Sequence, residues 1–372
     1  MAIKVMTVIA RMNVGGPAKL IDFLDRGLID SGFEHVLVTG YCDKNEADYL
    51  NNNSLIGQII YIETLFRKLN LFADLITIFK LKNIIKKVKP DIIHTHTAKA
   101  GTLGRLAALL SRKKNLKLVH TYHGHTLNGY FNSLQNSIFK NIERLLSLKT
   151  HVLISVSRNV MIELKKYGIG PNSNWQIIYP GIQISSENIK KNNFKRIIEL
   201  IWIGRFTSIK NPMMAIFAYE ELAKSFKIKL RMIGDGELKD DCKQYCSDKF
   251  LDIEFLGWQN DVRPFLNDAN LLLITSKNEG LPVVMLEAAS FKVSTLSTNV
   301  GGVNEFIISN QNGFLVNNKI LDFQMKLREL LSQPDLITST GLNAYKTVCN
   351  DFSVSNFVQL HLSTYRKLIT KL

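Results

Sequence analysis

Two carboxylates stand eight positions apart in the stretch SKNEGLPVVMLEAAS, residues 276–290, with a Gly-Leu-Pro step between them. The run LLLIT just before it is apolar up to its closing Thr, which places Glu279 at the exit of a buried strand. Pro282 suits the first turn of a helix, and Glu287 falls inside that helix. Gly280, Leu281 and Val283 can then turn their amides out of the helix start, where an anion is attracted. A second group of charges lies in GRFTSIKN, residues 204–211, again directly after an apolar run. Arg205 can grip phosphate oxygens in a fork, and Lys210 adds a mobile point charge. Charge-assisted contacts of this kind contribute about 1.5–3 kcal/mol each. A cationic pair, a helix start and two flanking acceptors fit a diphosphate with a hydroxylated ring at each end, which is a nucleotide sugar. The structural alternative makes Glu279 a dipole-stabilising first-turn residue and Glu287 a surface helix residue.

Two further stretches fall at strand exits in the first half. MNVGGPAKL, residues 12–20, offers Gly15 and Gly16, where a backbone could approach a ligand closely, followed by a helix-opening Pro17. The alternative is a tight strand-to-helix turn. The dinucleotide fingerprint G-x-G-x-x-G is absent there, and IGDGEL at 233–238 has only two of its glycines, which disfavours a nicotinamide enzyme. Five of the eight histidines, His94, His96, His120, His123 and His125, fall in HTHTAKAG and HTYHGHTLNGY. His94 and His96 share a strand face. No Asp, Glu or Cys follows nearby in either loop, so a zinc site is disfavoured. One or two rings are expected to hydrogen-bond a polar ligand group and the rest to be satisfied within the sheet. His123, before Gly124, is the foremost candidate and His125 the second.

The elements that must position these groups alternate throughout. Strand-like runs at 4–9, 35–40, 58–63, 91–96, 117–122 and 151–157 are separated by helical patterns at 17–30, 72–89, 102–112, 132–148 and 158–167. After IIYPGI (177–182) the segment 184–196 is polar and lysine-rich and reads as a linker. The pattern restarts with strands at 197–204, 228–234, 252–257, 270–276 and 293–298, and two or three helices close the chain from about 320. Near-continuous apolar strands between helices predict parallel sheets covered on both faces. The fold expected is α/β, with two doubly wound Rossmann-like domains facing across a cleft. Their bounds are 1–183, joined by a C-terminal helix about 353–372, and 184–352.

Composition agrees with a globular chain of two domains: 372 residues, 46% apolar, 21% charged. No segment is apolar and long enough to span a bilayer, and the N-terminus reads as a first strand, not an export signal. Cys42, Cys242, Cys246 and Cys349 match no zinc or redox spacing and read as reduced thiols of a cytoplasmic protein. Residues 1–183 carry 24 Lys and Arg against 12 Asp and Glu, whereas 184–372 carry 23 against 20. The basic half is expected to meet something anionic.

In these motifs taken in order, the chain resembles family four of the retaining glycosyltransferases, with the GT-B architecture. The likeness runs from GGP through HTHTAKAGTLGRLAA, HTYHGH, ISVSRNV, IIYPGI, IGRFTSIKN, IGDGEL, FLGWQNDV and NEGLPVVMLEAAS to NVGGVNEFI. Within the family it is most similar to transferases that build bacterial surface polysaccharides and lipid-linked oligosaccharides. The resemblance implies that Arg205 and Lys210 bind the donor diphosphate, assisted by the amides of Gly280 and Leu281. It implies that Glu279 contacts the donor sugar, Glu287 the ribose, and His123 the region of the transferred sugar. Gly16 would line the phosphate and acceptor side, and Trp258 to Asp261 would lie by the nucleobase. It further implies transfer with retention from a nucleoside-diphosphate sugar, UDP-linked, without cofactor or metal; no D-x-D pair occurs. The GGP turn lacks the acidic residue that some relatives place after the second Gly.

The partners expected are a nucleoside-diphosphate sugar, a hydroxyl acceptor on a lipid-linked glycan, and an anionic membrane surface on the inner face. Residues 65–90, with Lys82, Lys86 and Lys87, alternate apolar and basic positions as a surface helix does, or as the core side of a Rossmann helix does. Two rival functions are a nucleotide-sugar epimerase or hydrolase using the same cleft, and a basic nucleic-acid-binding protein. The latter calls for aromatic and basic residues interleaved on a sheet face, a pattern the sequence lacks.

Overall fold

The computed structural model describes residues 2–43, 46–66, 69–124, 133–184 and 197–370. The chain divides into two units, Met1–Gly181 with Val354–Leu372 and Ile182–Ser353. The lysine-rich stretch lies outside the described residues beyond Ile184.

The first unit runs β1 (Lys4–Arg11), α1 (Gly16–Asp30), β2 (Glu34–Gly40), β3 (Gln58–Tyr61), α2 (Leu71–Val88), β4 (Ile92–His96) and α3 (Ala98–Ser111). It continues with β5 (Lys117–Tyr122), α4 (Ser133–Ser147), β6 (Val152–Ser155), α5 (Arg158–Lys166) and β7 (Trp175–Ile177). Its seven strands are ordered β3-β2-β1-β4-β5-β6-β7, each pair parallel. Met6, Val8 and Val36 face a layer containing Leu81, Ile85, Leu103 and Ala107 of α2 and α3. Ile9 and Leu37 face Ala18 and Ile21 of α1 on the other side.

All five residues of β4 are buried although three are polar, and two of those three, His94 and Thr95, are partnered from β5. Thr95 Oγ1 lies 2.8 Å from His120 Nδ1 on the α3 side, and His94 Nε2 lies 2.7 Å from Thr121 Oγ1 on the other. Helix α3 can lie close over this pair only because it is glycine there. A Cβ at Gly101 would come within 2.4 Å of the His120 ring and one at Gly104 within 2.7 Å of Thr95.

The second unit runs β8 (Ile198–Ile203), α6 (Pro212–Leu222), β9 (Ile228–Ile233), α7 (Lys239–Asp248), β10 (Ile253–Gly257), α8 (Arg263–Asp268) and β11 (Leu271–Ile274). Then come α9 (Val283–Ser290), β12 (Ser294–Thr298), β13 (Phe314–Val316), α10 (Ile320–Leu331) and α11 (Pro334–Asp351). Its sheet is parallel in the order β10-β9-β8-β11-β12-β13, around a core that includes Trp202, Phe206, Leu230, Leu273 and Phe314. Cys242 and Cys246 are buried in it as free thiols. Helix α12 (Val354–Thr370) then packs on α1 of the first unit.

Two strands and a helix escape the sequence reading. Strands β7, which ends at Ile177, and β13 span three residues each and α8 spans six, too few to show a period. Among the described residues no helix is long and apolar enough to cross a membrane.

Candidate active site

In the second unit the strand order reverses between β8 and β11. The crevice beyond the carboxyl ends of strands at such a point is where doubly wound sheets take ligands. The loops leaving these two strands carry the candidate residues. Arg205 follows β8, Lys210 ends the same loop, and Pro212 opens α6. Glu279 follows β11, Gly280 and Leu281 lead to Pro282, which caps α9, and Glu287 is a half-buried residue of that helix.

The two loops are bonded to each other. Thr275 Oγ1 accepts from Trp202 Nε1 at 3.0 Å and lies 3.0 and 2.9 Å from the carbonyls of Lys210 and Asn211. The Lys277 amide donates to the Ile209 carbonyl at 2.7 Å. Lys210 Nζ donates to Glu279 Oε1 at 2.5 Å, and Ser276 Oγ donates to the same oxygen at 2.6 Å. The Glu279 side chain is only 9% exposed, a depth at which an ionised carboxylate needs such donors. Both meet one oxygen, so Oε2 keeps its acceptor capacity for a ligand.

The backbone behind this turn explains the glycines of NVGGVNEFI. Gly302 donates its amide to the Gly280 carbonyl at 2.8 Å. Gly301 has φ +55, and a Cβ there would lie 1.8 Å from the Glu279 carbonyl oxygen. IGDGEL has a parallel cause: a Cβ at Gly234 would lie 1.9 Å from the Gly204 carbonyl. These glycines let the strand-exit loops stack. Trp258 and Asp261 follow β10, the edge strand two places from β8, and the exposed Asp261 carboxylate accepts from Arg263 Nε and Nη2 at 2.8 Å each.

In the first unit the reversal lies between β1 and β4. Gly15 caps α1 and Gly16 is its first residue. A Cβ at Gly15 would meet nothing nearer than the Asn13 carbonyl at 3.9 Å, so the space beside this turn is open. His96 ends β4 and His123 follows β5; His96 Nδ1 lies 2.9 Å from His123 Nε2, with the rings stacked at 5.2 Å. His94 Nδ1 lies 2.5 Å from the Tyr365 hydroxyl of α12. Burial, and next the neighbouring His361, push His123 down to about 4, and burial pushes His361 down to about 4 as well. His94 and His96 are lowered further, by burial first and by adjacent rings second. His123 is therefore a neutral imidazole at pH 7, suited to hydrogen-bonding a hydroxyl. His125 lies outside the described residues. Among the described residues no three His, Cys, Asp or Glu gather as a metal site.

Two contributors are not singled out by the sequence, and the partner of a third is not. Ser276 and Thr275 are common residue types whose one signal is their place at the exit of β11. His96 is one of the five histidines of the sequence reading, but its contact with His123 is not visible there: its Nδ1 engages His123, and its Nε2 is buried without a partner among the described residues. Thr97, which follows it, holds φ +65, a conformation that side chains other than glycine adopt under strain and that concentrates at functional sites.

Two family models match the chain in series: Glycosyltransferase Family 4 over residues 14–186 and Glycosyl transferases group 1 over residues 185–347. The UDP-Gal:alpha-D-GlcNAc-diphosphoundecaprenol alpha-1,3-galactosyltransferase of Escherichia coli is 26% identical over 323 residues, 82% of either chain. Among solved structures, sucrose-phosphate synthase from Thermosynechococcus elongatus matches with a TM-score of 0.84 at 16% identity, covering 100% of both chains. Anabaena HepE in complex with UDP and glucose matches with a TM-score of 0.77 at 18% identity, over 98% of this chain and 100% of that one. With both halves matched in order and the fold shared over the full length, the chain belongs to the family 4 glycosyltransferases of GT-B fold.

Proposed function

We propose that the protein transfers a sugar, with retention of anomeric configuration, from a UDP-sugar to a hydroxyl of a lipid-linked glycan at the inner face of the membrane. The observation that carries this reading is the Lys210–Glu279–Ser276 knot at the point where the second sheet reverses. It offers a cation and a carboxylate side by side, which suits the junction between a diphosphate and the sugar it carries. Arg205, Lys210 and the amides of Gly280 and Leu281 take the diphosphate. Glu279 holds donor-sugar hydroxyls, Glu287 takes the ribose, Trp258 to Asp261 stand by the uracil, and Gly16 leaves room on the phosphate and acceptor side. Uridine as the base and a lipid-linked acceptor are supported by the named substrates of the Escherichia coli relative and by UDP in the Anabaena structure.

The bond from C1 of the sugar to the phosphate oxygen breaks as the acceptor oxygen bonds to C1 on the same face. The acceptor's proton passes to the departing phosphate. Charge grows on that phosphate, and fixed cations and amides around it lower the barrier most. Neutral His123 hydrogen-bonds a hydroxyl of the moving sugar. The positive charge comes from Arg205 and Lys210, and no metal is required. The test is calorimetry with UDP and a panel of UDP-sugars, followed by transfer onto lipid-linked acceptors with and without EDTA. We expect binding of UDP, lost in Glu279→Gln with Lys210→Met, transfer indifferent to EDTA, and a product with the donor's anomeric configuration. Absence of affinity for any nucleoside diphosphate would refute the reading. Conversion of donor without acceptor would mark an epimerase or hydrolase instead.

A further inference from the structure

A neutral imidazole has one N–H and one bare nitrogen, and the partner of one nitrogen decides which form the ring takes. His96 Nδ1 and His123 Nε2 lie 2.9 Å apart, so one proton is shared between them. Neither ring is a cation at neutral pH, because burial holds His123 down to about 4 and pushes His96 well below its ordinary value. Two arrangements remain. If His123 donates, the proton of His96 sits on Nε2, which is buried without a partner among the described residues. If His96 donates, that same nitrogen is bare. A buried N–H without an acceptor is rarer than a buried acceptor without a donor, because its charge is concentrated on a small hydrogen. The burial of His96 Nε2 therefore selects the second arrangement. His96 is also held against turning over and exchanging its nitrogens. It is only 3% exposed, and His94 packs on it with ring centroids 4.1 Å apart. His94 is itself pinned between Thr121 Oγ1 at 2.7 Å and the Tyr365 hydroxyl at 2.5 Å.

We infer that His96 is a positioning residue that holds His123 as its Nδ1–H tautomer, so that His123 meets a ligand as a hydrogen-bond donor. The lone pair on His123 Nε2 is already engaged by His96, which leaves Nδ1–H as the polar group this ring can offer. His123 is half-buried and follows β5 at the carboxyl edge of the first sheet, where ligands enter such folds. A ring in this state donates to an oxygen of the sugar and takes no proton from the acceptor. That the oxygen belongs to a sugar rests on the function proposed above; the tautomer does not. His96 acts through His123, since its own remaining nitrogen is closed off from the crevice.

The experiment is long-range proton–nitrogen correlation NMR of the full chain with isotope-labelled histidine at neutral pH, which tells a protonated ring nitrogen from a bare one. Loss of signals in His123→Gln identifies those of His123. We expect a proton on His123 Nδ1 and a bare Nε2 in the wild type. His96→Phe keeps a ring but removes the donor, and His123 should become a mixture of both tautomers. His96→Asn can set an amide N–H in the place of Nδ1–H, and the single tautomer should return. Transfer with the UDP-sugar that turns over in the panel above should follow: His96→Phe should lose about five- to tenfold in kcat/KM, and His96→Asn should recover most of it. A proton on His123 Nε2 in the wild type would overturn the proposal, and that result needs no variant to fold. An unchanged tautomer in folded His96→Phe would overturn it too, as would a tautomer restored in His96→Asn without restored transfer. The expected tautomers in a chain that transfers no sugar would sink the enzymatic reading and leave the pairing of His96 with His123 in place.

Discussion

Glu279 Oε1 accepts from both Lys210 and Ser276, and the two donors do different work. Ser276 is neutral and holds the carboxylate in place, whereas Lys210, in the function proposed above, also supplies charge to a departing phosphate. Ser276→Ala should therefore cost about 1 kcal/mol, a fall of about fivefold in kcat/KM. Lys210→Met should lower kcat by about 100- to 1000-fold, the range for removing a transition-state donor. Steady-state kinetics on purified variants with matched melting temperatures checks the order; an equal loss in both would mean that Lys210 only positions Glu279. Glu279 and Lys210 were legible as candidates because charge at the exit of an apolar strand is unusual. Their mutual contact was not, since they lie 69 positions apart and only strand order brings them together. His96 was illegible as a partner of His123 for the same reason: adjacency of β4 and β5 is a property of the sheet.

Elements hold these residues through a few close approaches. Gly301→Ala would place a methyl 1.8 Å from the Glu279 carbonyl in a left-handed conformation, so the whole turn must move. The expected result is a loss of about 2–4 kcal/mol in the second unit by urea denaturation, together with loss of UDP binding. Helix α4 depends on a buried ion pair: Arg105 Nη2 donates to Glu143 Oε1 at 2.5 Å, and the Tyr122 hydroxyl donates to Oε2 at 2.6 Å. Glu143→Gln would leave Arg105 charged and poorly paired, a loss of about 3–5 kcal/mol, whereas Tyr122→Phe should cost about 1 kcal/mol. Equal midpoints for the two variants would contradict the assignment. The long strands and helices were readable because burial on both faces leaves unbroken apolar runs. The start of α3 was not: it begins at Ala98 instead of 102, after a strained Thr97 that no periodicity announces.

Across the whole molecule, all eight histidines lie outside Ile182–Ser353, so the second unit has none. In the first unit His94, His96, His120, His123 and His361 all titrate below their ordinary value of 6.5, chiefly because burial penalises the cation. The sign follows from linkage: the unfolded chain takes up these protons near pH 6.5 while the folded unit does not, so stability is full above 6.5 and falls as pH drops. For His123 and His361 the loss continues down to about 4. At pH 5.5 each of these two should cost about 1 kcal/mol. Asp25, lowered against burial by its hydrogen bond to His35, loses its contribution only below 3.8 and does not enter this window. Hydrogen exchange read segment by segment between pH 7 and 5 tests the outcome, after correction for intrinsic rates. Amides of β4 and β5 should lose protection as pH falls, while those of β8 and β11 hold theirs. Parallel loss in both sheets would show that the acid response is global and that the buried imidazoles do not govern it.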